Sequence, residues 1–366
     1  MSAERVEQAR DFVARAGWAG AVVAPLPGDA STRSYARVRL GGRKAMLMDQ
    51  PQAAETPPAS ATATPEERRA LGYNAVARLA GADCLRFVAV AEYLRGLGLS
   101  APEILAADPR QGFVLIEDFG DDLYADALAR GADEPVLYQA AAEVLAALHA
   151  DRAPAILHPD TPLHDYDETA LLAEIDLMTQ WHLPLALNRA AREDEIAEHR
   201  ALWRQAIATA RAPGSVFVHR DYHAQNLIWL PKRAGLARVG LIDFQDAVAG
   251  SRAYDLVSLI EDARRDVAPE IADATTARYL SAAGGLDEDQ FRASMAVMAA
   301  QRNAKIAGIF ARLFKRDGKP RYLSYLPRVW GYLNRDLEHP ALAGLQAWYD
   351  ETIPRRARGR IEGAAQ

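Results

Sequence analysis

The sequence predicts an α+β chain with a small, strand-rich N-terminal lobe and a larger, mostly helical C-terminal lobe. Short strand patterns alternate with one long helix as far as residue 116, and most later segments carry apolar residues at helical spacing. The length of 366 residues gives room for two lobes that each have a core. We therefore assign residues 1–116 to the N-terminal lobe, 117–122 to a hinge and 123–366 to the C-terminal lobe.

The N-terminal lobe begins with an amphipathic helix over residues 5–16, which carries its apolar side chains on one face. A second helix is predicted over 86–97. The predicted strands of this lobe cover residues 21–24, 35–40, 44–48, 104–107 and 113–116. Residues 50–67 are rich in Pro, Ala and Thr and lack periodicity, which predicts a flexible loop.

The C-terminal lobe is predicted to be helical except around one loop. Its predicted helices cover residues 135–149, 170–181, 193–211, 254–262, 270–280 and 287–314. Around the loop at 219–226, short apolar runs predict a strand at 215–218 and a hairpin formed by 227–230 and 239–242. A loop between short buried strands is a rigid place to hold reactive side chains.

Composition excludes several classes of protein. The formal net charge of −6 argues against a nucleic-acid surface, which needs a basic field. The single cysteine, Cys84, excludes an internal disulfide and a cysteine zinc site. No apolar stretch is long enough to span a bilayer, and the start lacks the apolar centre of a signal peptide, so we expect a cytoplasmic protein. The basic cluster at 355–360 is expected to be a solvated tail, and binding of an anionic partner is the alternative.

The most informative segment reads HRDYHAQN over residues 219–226. Asp221 can orient a hydroxyl or act as a base, Asn226 offers an amide oxygen to a metal, and Asp243 adds a carboxylate after the next strand. This spacing is typical of phosphoryl transfer from a nucleotide held by Mg²⁺. The alternative for each aspartate is a turn carboxylate that accepts hydrogen bonds from its own backbone. His219 is interpreted as a residue that braces the loop.

Two segments are candidates for nucleotide binding. In the first hairpin, the small residues Ser31 and Thr32 would let backbone N–H groups approach phosphate oxygens, with Arg33 as a nearby charge. In the hinge, backbone groups near Glu117 could pair with adenine while Phe119 offers an apolar contact. An ordinary turn and an acidic interdomain turn are the respective alternatives. The chain contains no Walker A motif and no GxGxxG motif, which removes the P-loop and Rossmann interpretations.

The acceptor is predicted to be a small molecule. Eleven residues separate Asp243 from Asp255, too few for a long activation segment that docks a peptide. The stretch between residues 149 and 216 is helical and acidic, and its Glu174 and Asp176 could wall an acceptor pocket. A solvated helix face is the alternative for both acids.

Three further residues are candidates for contact with the acceptor. Gln301 and Arg302 could bind a carboxylate or a hydroxyl from the long helix that passes through Lys305. His223 lies two residues beyond Asp221 and would face the acceptor. Packing within the loop or on the helix surface is the alternative for all three.

These segments resemble those of the aminoglycoside phosphotransferase and choline kinase-like family, whose members are related to protein kinases. The runs GDASTRSYARV, LMDQP, HRDYHAQN, IDFQDAVAGSRAYDLVSLIEDARRDV and QRNAKIAGIFARL carry the resemblance. It implies a protein-kinase-like, two-lobed fold that uses ATP and Mg²⁺. More narrowly, the runs resemble amino-sugar kinases of cell-wall recycling, which phosphorylate the C1 hydroxyl of N-acetylmuramate and N-acetylglucosamine.

The resemblance also implies roles for individual residues. Asp221 would be the catalytic base, Asn226 and Asp243 would bind Mg²⁺, and Asp255 would brace the loop. The family's lysine in the third strand is missing here, because the end of that strand reads MLMD over residues 46–49. Either Lys44 or Arg33 would replace it as the cation that contacts phosphate, or the nucleotide is held in a different way.

The resulting hypothesis is an ATP-dependent amino-sugar kinase whose partner is a small-molecule substrate, with no nucleic acid and no membrane. An aminoglycoside, choline or other small-alcohol kinase of the same fold is the nearer alternative. A nucleotide-binding regulator without catalysis is the more distant one.

Overall fold

The computed structural model describes residues 3–27, 33–51, 60, 62–79, 84–158, 161–210 and 215–361. The chain forms two compact units, each assembled from several segments. Unit 1 comprises Met1–Asp133, Pro154–His164 and Ala224–Ala247, and unit 2 comprises Glu134–Ala153, Asp165–His223 and Val248–Gln366. The lobe boundaries inferred from the sequence, at residues 116 and 122, stay a prediction.

Unit 1 contains an antiparallel sheet of five strands within the described residues, in the order β1-β2-β3-β5-β4. The strands are β1 Val22–Pro25, β2 Ser34–Leu40, β3 Arg43–Asp49, β4 Ile104–Asp108 and β5 Phe113–Glu117. The predicted strands are therefore confirmed, with ends that shift by one or two residues. The register places Met46 opposite both Arg37 of β2 and Ile116 of β5.

The two faces of this sheet have different neighbours, because side chains alternate along each strand. Val38 and Leu47 are buried in a cluster with Phe12 of helix α1 (Ala3–Val13). The Phe12 ring stacks on Phe113 of β5 with 5.5 Å between the ring centroids. The opposite face carries Met46 and its neighbours, and it lines the cavity described below.

Within its described residues, unit 1 also contains three further α-helices and two short strand pairs. They are α2 Pro65–Leu71, α3 Cys84–Gly96, α4 Tyr124–Ala129, β6 Ile156–His158, β7 Thr161–Pro162, β9 Leu227–Trp229 and β10 Val239–Leu241. The antiparallel pair of β9 and β10 confirms the predicted hairpin. The prediction of a loop over 50–67 is wrong at its end, because α2 begins at Pro65. A capping box, in which Thr64 and Glu67 exchange side-chain and backbone hydrogen bonds, starts that helix.

Unit 2 is largely helical. It contains α5 Glu134–Leu148, α6 Glu168–Leu177, α7 Leu183–Leu187, α8 Glu193–Ala210, β8 Val216–Val218, β11 Val248–Gly250, α9 Ala253–Ile260, α10 Pro269–Ala283, α11 Glu288–Lys315, α12 Leu326–Asp336 and α13 Ala343–Thr352. The predicted helices of this region are confirmed with modest shifts at their ends. Helix α11, with 28 residues, packs so closely on α6 that a Cβ at Gly308 would lie 2.5 Å from the Cβ of Leu177.

Two features of unit 2 differ from the predictions. Helices α12 and α13 were not anticipated, and the expectation of a solvated basic tail is wrong for Arg358. That side chain is 8% exposed and donates to Asp350, to Asn334 and to the backbone of Ile353 at 2.8–2.9 Å. Within the part of the chain that the structure describes, we find no helix with both the length and the apolar character needed to cross a membrane.

Candidate active site

Unit 1 encloses a cavity of about 410 Å³. This volume lies within the range of about 300–1,000 Å³ that is typical of small-molecule sites. The lining residues come from the first hairpin, the sheet, helices α3 and α4, the segments before β4 and after β5, and the segments at β9 and β10: Leu26, Pro27, Arg33, Tyr35, Arg37, Met46, Phe87, Pro102, Ile116, Glu117, Asp118, Phe119, Gly120, Asp121, Leu123, Asp126, Asn226, Ile228, Ile242 and Asp243.

One side of the cavity is formed by the segment that follows β5. Phe119 lies against β10 at Gly240, where an added Cβ would be 2.9 Å from the Phe119 ring. The guanidinium of Arg233 lies 5.0 Å from the centre of that ring and also pairs with Glu117. Both residues that the sequence proposed for this segment, Glu117 and Phe119, therefore line the cavity.

Asn226 and Asp243 line the same cavity. The segments that carry them are joined by a hydrogen bond of 3.2 Å from the Ile242 N–H to the carbonyl of Asn226. The Asp243 side chain remains 39% exposed, and its Oδ1 lies 3.0 Å from a guanidinium nitrogen of Arg33. Arg33 itself is nearly buried, with 6% of its side chain exposed.

The chemistry of these two side chains fits a magnesium ion. A carboxylate and an amide supply the hard oxygen ligands that Mg²⁺ prefers, and Mg²⁺ usually binds through one or two carboxylates together with substrate phosphates. Among the residues that the structure describes, no group of three or more His, Cys, Asp or Glu could hold a metal by itself. A site that depends on phosphate oxygens for its remaining ligands is consistent with that finding.

The remaining residues predicted to bind nucleotide have different outcomes. Ser31 and Thr32 lie outside the described residues. Arg33 lines the cavity, whereas Lys44 is not one of the lining residues. Lys44 lies on the same face of β3 as Met46 but is exposed, with its Nζ 4.0 Å from the position of a Cβ at Gly120. Of the two cations considered for the phosphates, Arg33 is the one at the cavity.

In unit 2, Asp255 holds the loop that carries Asp221. Its carboxylate accepts hydrogen bonds from the backbone N–H groups of His219 at 2.6 Å and Arg220 at 2.8 Å. Arg220 adopts a positive φ of 79°, a conformation that needs support from its surroundings. Burial raises the pKa of Asp255 to about 7, although the two backbone hydrogen bonds oppose that shift. The buried ring of His219 lies edge-on to Tyr222, 5.5 Å between centroids.

Glu174 of α6 is the centre of a buried ionic cluster in unit 2. One of its oxygens lies 2.7 Å from Arg220 and 2.8 Å from Nζ of Lys305, and the other accepts hydrogen bonds from Tyr166 and, at 3.1 Å, from Gln301. Only 2% of the Glu174 side chain is exposed. Burial opposes its ionisation, but Lys305 and Arg220 lower the pKa of Glu174 below its ordinary value. We call these five residues the Glu174 cluster.

The charges of this cluster act on Asp221. Burial opposes ionisation of Asp221, but the charges of His223, Lys305 and Arg220 outweigh it and lower the pKa of the carboxyl. Burial also lowers the pKa of His223 to about 4, so this imidazole is neutral at pH 7. At neutral pH, Lys305 and Arg220 are the charged groups among these three that favour the ionised form of Asp221.

The other proposed acceptor residues lie in different surroundings. Arg302 is 5% exposed, donates to the carbonyl of Glu261 at 3.0 Å and contributes to the electrostatic field at His223. Asp176 lies two residues beyond Glu174 on α6 and forms a 2.6 Å ion pair with Arg200 of α8. Because successive helical positions are about 100° apart, Asp176 points away from the Glu174 cluster. The acceptor role of Asp176 stays a prediction, and its carboxylate is paired with Arg200.

The sequence reasoning missed Arg220, Lys305 and Tyr166 as members of this cluster. Arg220 lies within the HRDYHAQN run, and only 6% of its side chain is exposed. Its guanidinium lies 4.6 Å from the centre of the Tyr166 ring. The available signal was the spacing of Gln301 and Lys305, which are four residues apart and share one face of a helix.

The chain is similar to proteins of known family and fold. The family model described as the phosphotransferase enzyme family matches residues 22–293. The chain is also similar to the N-acetylmuramate/N-acetylglucosamine kinase of Caulobacter vibrioides, with 46% identity over 361 residues. That match covers 98% of this chain and 99% of the relative.

Solved structures show the same fold. A choline/ethanolamine kinase family protein from Mesorhizobium loti matches with a TM-score of 0.57 and 15% identity, covering 94% of this chain and 98% of that chain. The ADP-bound aminoglycoside phosphotransferase APH(2'')-Ib matches with a TM-score of 0.55 and 13% identity, covering 94% and 99%. At these identities the likeness concerns the fold alone. The kinase-like α+β fold and the family resemblance are thereby confirmed.

Proposed function

Since this chain belongs to the phosphotransferase enzyme family, we propose that it transfers the γ-phosphoryl group of ATP to the anomeric hydroxyl of N-acetylmuramate and N-acetylglucosamine. The observation that carries the choice of acceptor is the 46% identity, over nearly the whole chain, to a kinase named for these two sugars. The product would be a sugar 1-phosphate, and the reaction would serve the recycling of cell-wall sugars in the cytoplasm.

The cavity of unit 1 supports the nucleotide part of this proposal. Ile116 and Phe119 offer apolar surface to an adenine. Arg33 supplies a positive charge for the phosphates, and Asn226 and Asp243 supply oxygen ligands for a metal bound to them. Asn226 and Asp243 would hold Mg²⁺, which would neutralise negative charge on the phosphates when bound. Arg33 would take the place of the strand lysine, because Met46 occupies the cavity face of β3.

Asp221 would orient the acceptor and receive its proton. In the transfer, the anomeric oxygen forms a bond to the γ-phosphorus, the bond from that phosphorus to the β-γ bridging oxygen breaks, and the hydroxyl proton passes to the Asp221 carboxylate. The transition state is loose and demands little push from the nucleophile, so the proton is taken late. A carboxylate with a lowered pKa is suited to this role, because it stays ionised and mainly orients the hydroxyl.

The Glu174 cluster bears on the choice among acceptors. A kinase for choline or for an aminoglycoside needs acids that are free to bind a cationic substrate. Glu174 is instead paired with Lys305 and Arg220, and Asp176 is paired with Arg200. Arg302, by contrast, is a cation of the kind that would bind the carboxylate of N-acetylmuramate, with His223 as a neutral hydrogen-bonding partner for a sugar hydroxyl. Both assignments are part of the proposal.

An acceptor screen with purified protein, ATP and Mg²⁺ tests the proposal. We expect turnover with N-acetylmuramate and N-acetylglucosamine and an acid-labile sugar 1-phosphate, identified by ³¹P NMR. The matched control is the methyl glycoside of N-acetylglucosamine, in which the anomeric oxygen is blocked and no product should form. Phosphorylation of the methyl glycoside, or turnover restricted to choline or aminoglycosides, would overturn the assignment. Absence of Mg²⁺-dependent ATP turnover with every acceptor would favour a non-catalytic regulator.

A further inference from the structure

The backbone at Asp243 adopts a conformation that is uncommon outside glycine. Its φ of 61° lies in the left-handed region, which aspartate tolerates better than most residues but still adopts rarely. Such a conformation persists only where surrounding contacts enforce it. A turn follows immediately, closed by a 3.0 Å hydrogen bond from the Ala247 N–H to the carbonyl of Phe244. The contacts that hold this turn therefore also hold Asp243.

Arg86 of α3 supplies several of these contacts. Its guanidinium donates to the carbonyl of Gln245 at 2.8 Å, to that of Ala247 at 2.5 Å and to that of Pro162 at 2.8 Å. The side chain is 5% exposed. The planar fork of an arginine can engage several acceptors in fixed directions, whereas a lysine ammonium cannot reproduce that geometry. Arg86 thus binds both sides of the turn at once.

The contact continues from the turn to the Asp243 carboxylate. The side-chain amide of Gln245 donates to Oδ1 of Asp243 at 3.1 Å, so the residue whose carbonyl Arg86 holds also orients the carboxylate. Two further contacts secure the same turn. Arg78 pairs with Asp246 at 3.1 Å, and the ring of Phe87, next to Arg86 in α3, stacks on Phe244 with 4.9 Å between centroids.

We propose that Arg86 is a positioning residue for Asp243, and through it for the magnesium-bound nucleotide. The inference rests on the proposed function, because it gives Asp243 the role of a metal ligand. It assigns to α3 a role in nucleotide binding that needs neither a lysine in β3 nor the glutamate of α3. Met46 stands at the cavity face of β3, and Glu92, the glutamate of α3, is exposed. In this chain the helix acts on the metal ligand through an arginine and backbone carbonyls.

The test measures equilibrium binding of a fluorescent ADP analogue, with and without Mg²⁺, alongside steady-state kinetics. In Arg86→Met, we expect the affinity for the ADP analogue without Mg²⁺ to be unchanged. The Mg²⁺ concentration that gives half of the Mg²⁺-dependent increase in this affinity should rise about 10–100-fold, the usual cost of losing a partner that orients a metal ligand. Arg86→Lys should recover only part of this loss. The matched control is Arg69→Met, which removes an exposed arginine that pairs with Glu66 on α2.

Two outcomes overturn the inference. One is an Arg86→Met variant with the Mg²⁺ dependence of the wild type, and the other is an equal loss of nucleotide affinity with and without Mg²⁺, which would indicate a purely structural role. If Arg86→Met does not fold, Arg78→Met replaces it in the test. This variant removes the half-buried ion pair with Asp246 on the same turn, and the same two outcomes overturn the inference. A wild-type protein whose nucleotide binding ignores Mg²⁺ would instead count against the proposed function.

Discussion

The carboxylates of the unit 1 cavity and of the Glu174 cluster in unit 2 have opposite surroundings. Asp243 is 39% exposed, sits in a left-handed backbone conformation and lines a cavity. Glu174 is 2% exposed and is surrounded by two cations, a phenol and an amide. Exposure leaves part of the Asp243 carboxylate open to a ligand even though Arg33 and Gln245 contact its Oδ1, whereas buried partners surround both oxygens of Glu174. The surroundings of an acid, more than its position in a motif, therefore decide whether it can bind a substrate or only support a neighbour.

The largest expected effect separates the chemistry of unit 2 from nucleotide binding in unit 1. Asp221→Asn removes the carboxylate that orients the acceptor and takes its proton. We expect turnover to fall by about 10²–10⁴-fold, the usual share of a positioned base. Nucleotide binding should be retained, because the cavity residues of unit 1 are untouched. Steady-state kinetics measure the fall in turnover, and ADP binding on the same preparation measures the retained affinity for nucleotide. A fully active variant would contradict the role given to Asp221.

The next effect tests whether Glu174 is structural support. Glu174→Gln removes the buried carboxylate that pairs with both Lys305 and Arg220, so we expect a loss of about 3–5 kcal/mol in the free energy of unfolding. The matched control on the same helix is Glu168→Gln, because the Glu168–Arg204 pair is exposed and should cost less than about 1 kcal/mol. Denaturant titrations measure both variants. Equal losses in the two would show that burial of the pair makes no difference.

A smaller effect concerns the pH dependence of stability in unit 2. Burial, together with the charge of Arg200, lowers the pKa of His199 to about 3, and Nε2 of the ring accepts a 2.9 Å hydrogen bond from Trp203. Below about pH 6.5 the unfolded chain binds a proton at this position and the folded chain does not, so stability is lost as the pH falls. At pH 5 this loss amounts to about 2 kcal/mol for the one group.

The measurement compares the wild type with His199→Gln, which keeps an acceptor for Trp203 but cannot be protonated in this range. Between pH 7 and pH 5, the variant should lose about 2 kcal/mol less unfolding free energy than the wild type. Parallel stability curves for the two proteins would show that His199 does not contribute to acid sensitivity.

The smallest effect perturbs the cavity of unit 1. In Gly240→Ala the added Cβ would press on the ring of Phe119, and overpacking of this kind costs about 1–3 kcal/mol. If Phe119 moves to relieve the contact, the affinity for ATP should fall about tenfold, which corresponds to about 1.4 kcal/mol. Gly42→Ala, where nothing lies within 4 Å, is the control in the same unit. Unchanged ATP affinity in the Gly240 variant would mean that Phe119 does not shape the site.

Much of the fold could be predicted because its signals are local. Alternating residues in β2 and β3 and helical spacing in α5 and α11 are visible within short windows of sequence. The signal for α2 was also present, as Thr64 followed three residues later by Glu67, but the composition of the preceding segment obscured it.

The candidate site was predictable where chemistry follows a motif and unpredictable where it depends on long-range packing. Asn226 and Asp243 lie in recognisable runs of sequence, and both line the cavity. The partners of Glu174 are 46 residues away at Arg220 and 127 residues away at Gln301, so no local pattern joins them. Arg86 was missed for a different reason. Its partners are backbone carbonyls, which every residue possesses and which leave no mark in the sequence.

The length of α11 has a consequence for how this protein can evolve. Its 28 residues rise about 42 Å as one uninterrupted helix. The regular rotation of this single helix sets the directions in which Gln301, Arg302, Lys305 and Gly308 point. Inserting or deleting one residue ahead of them would rotate all four by about 100° at once, taking Lys305 from Glu174 and pressing a side chain into α6 where the glycine had been. Substitutions can adjust this helix one position at a time, but a change in its length cannot be gradual.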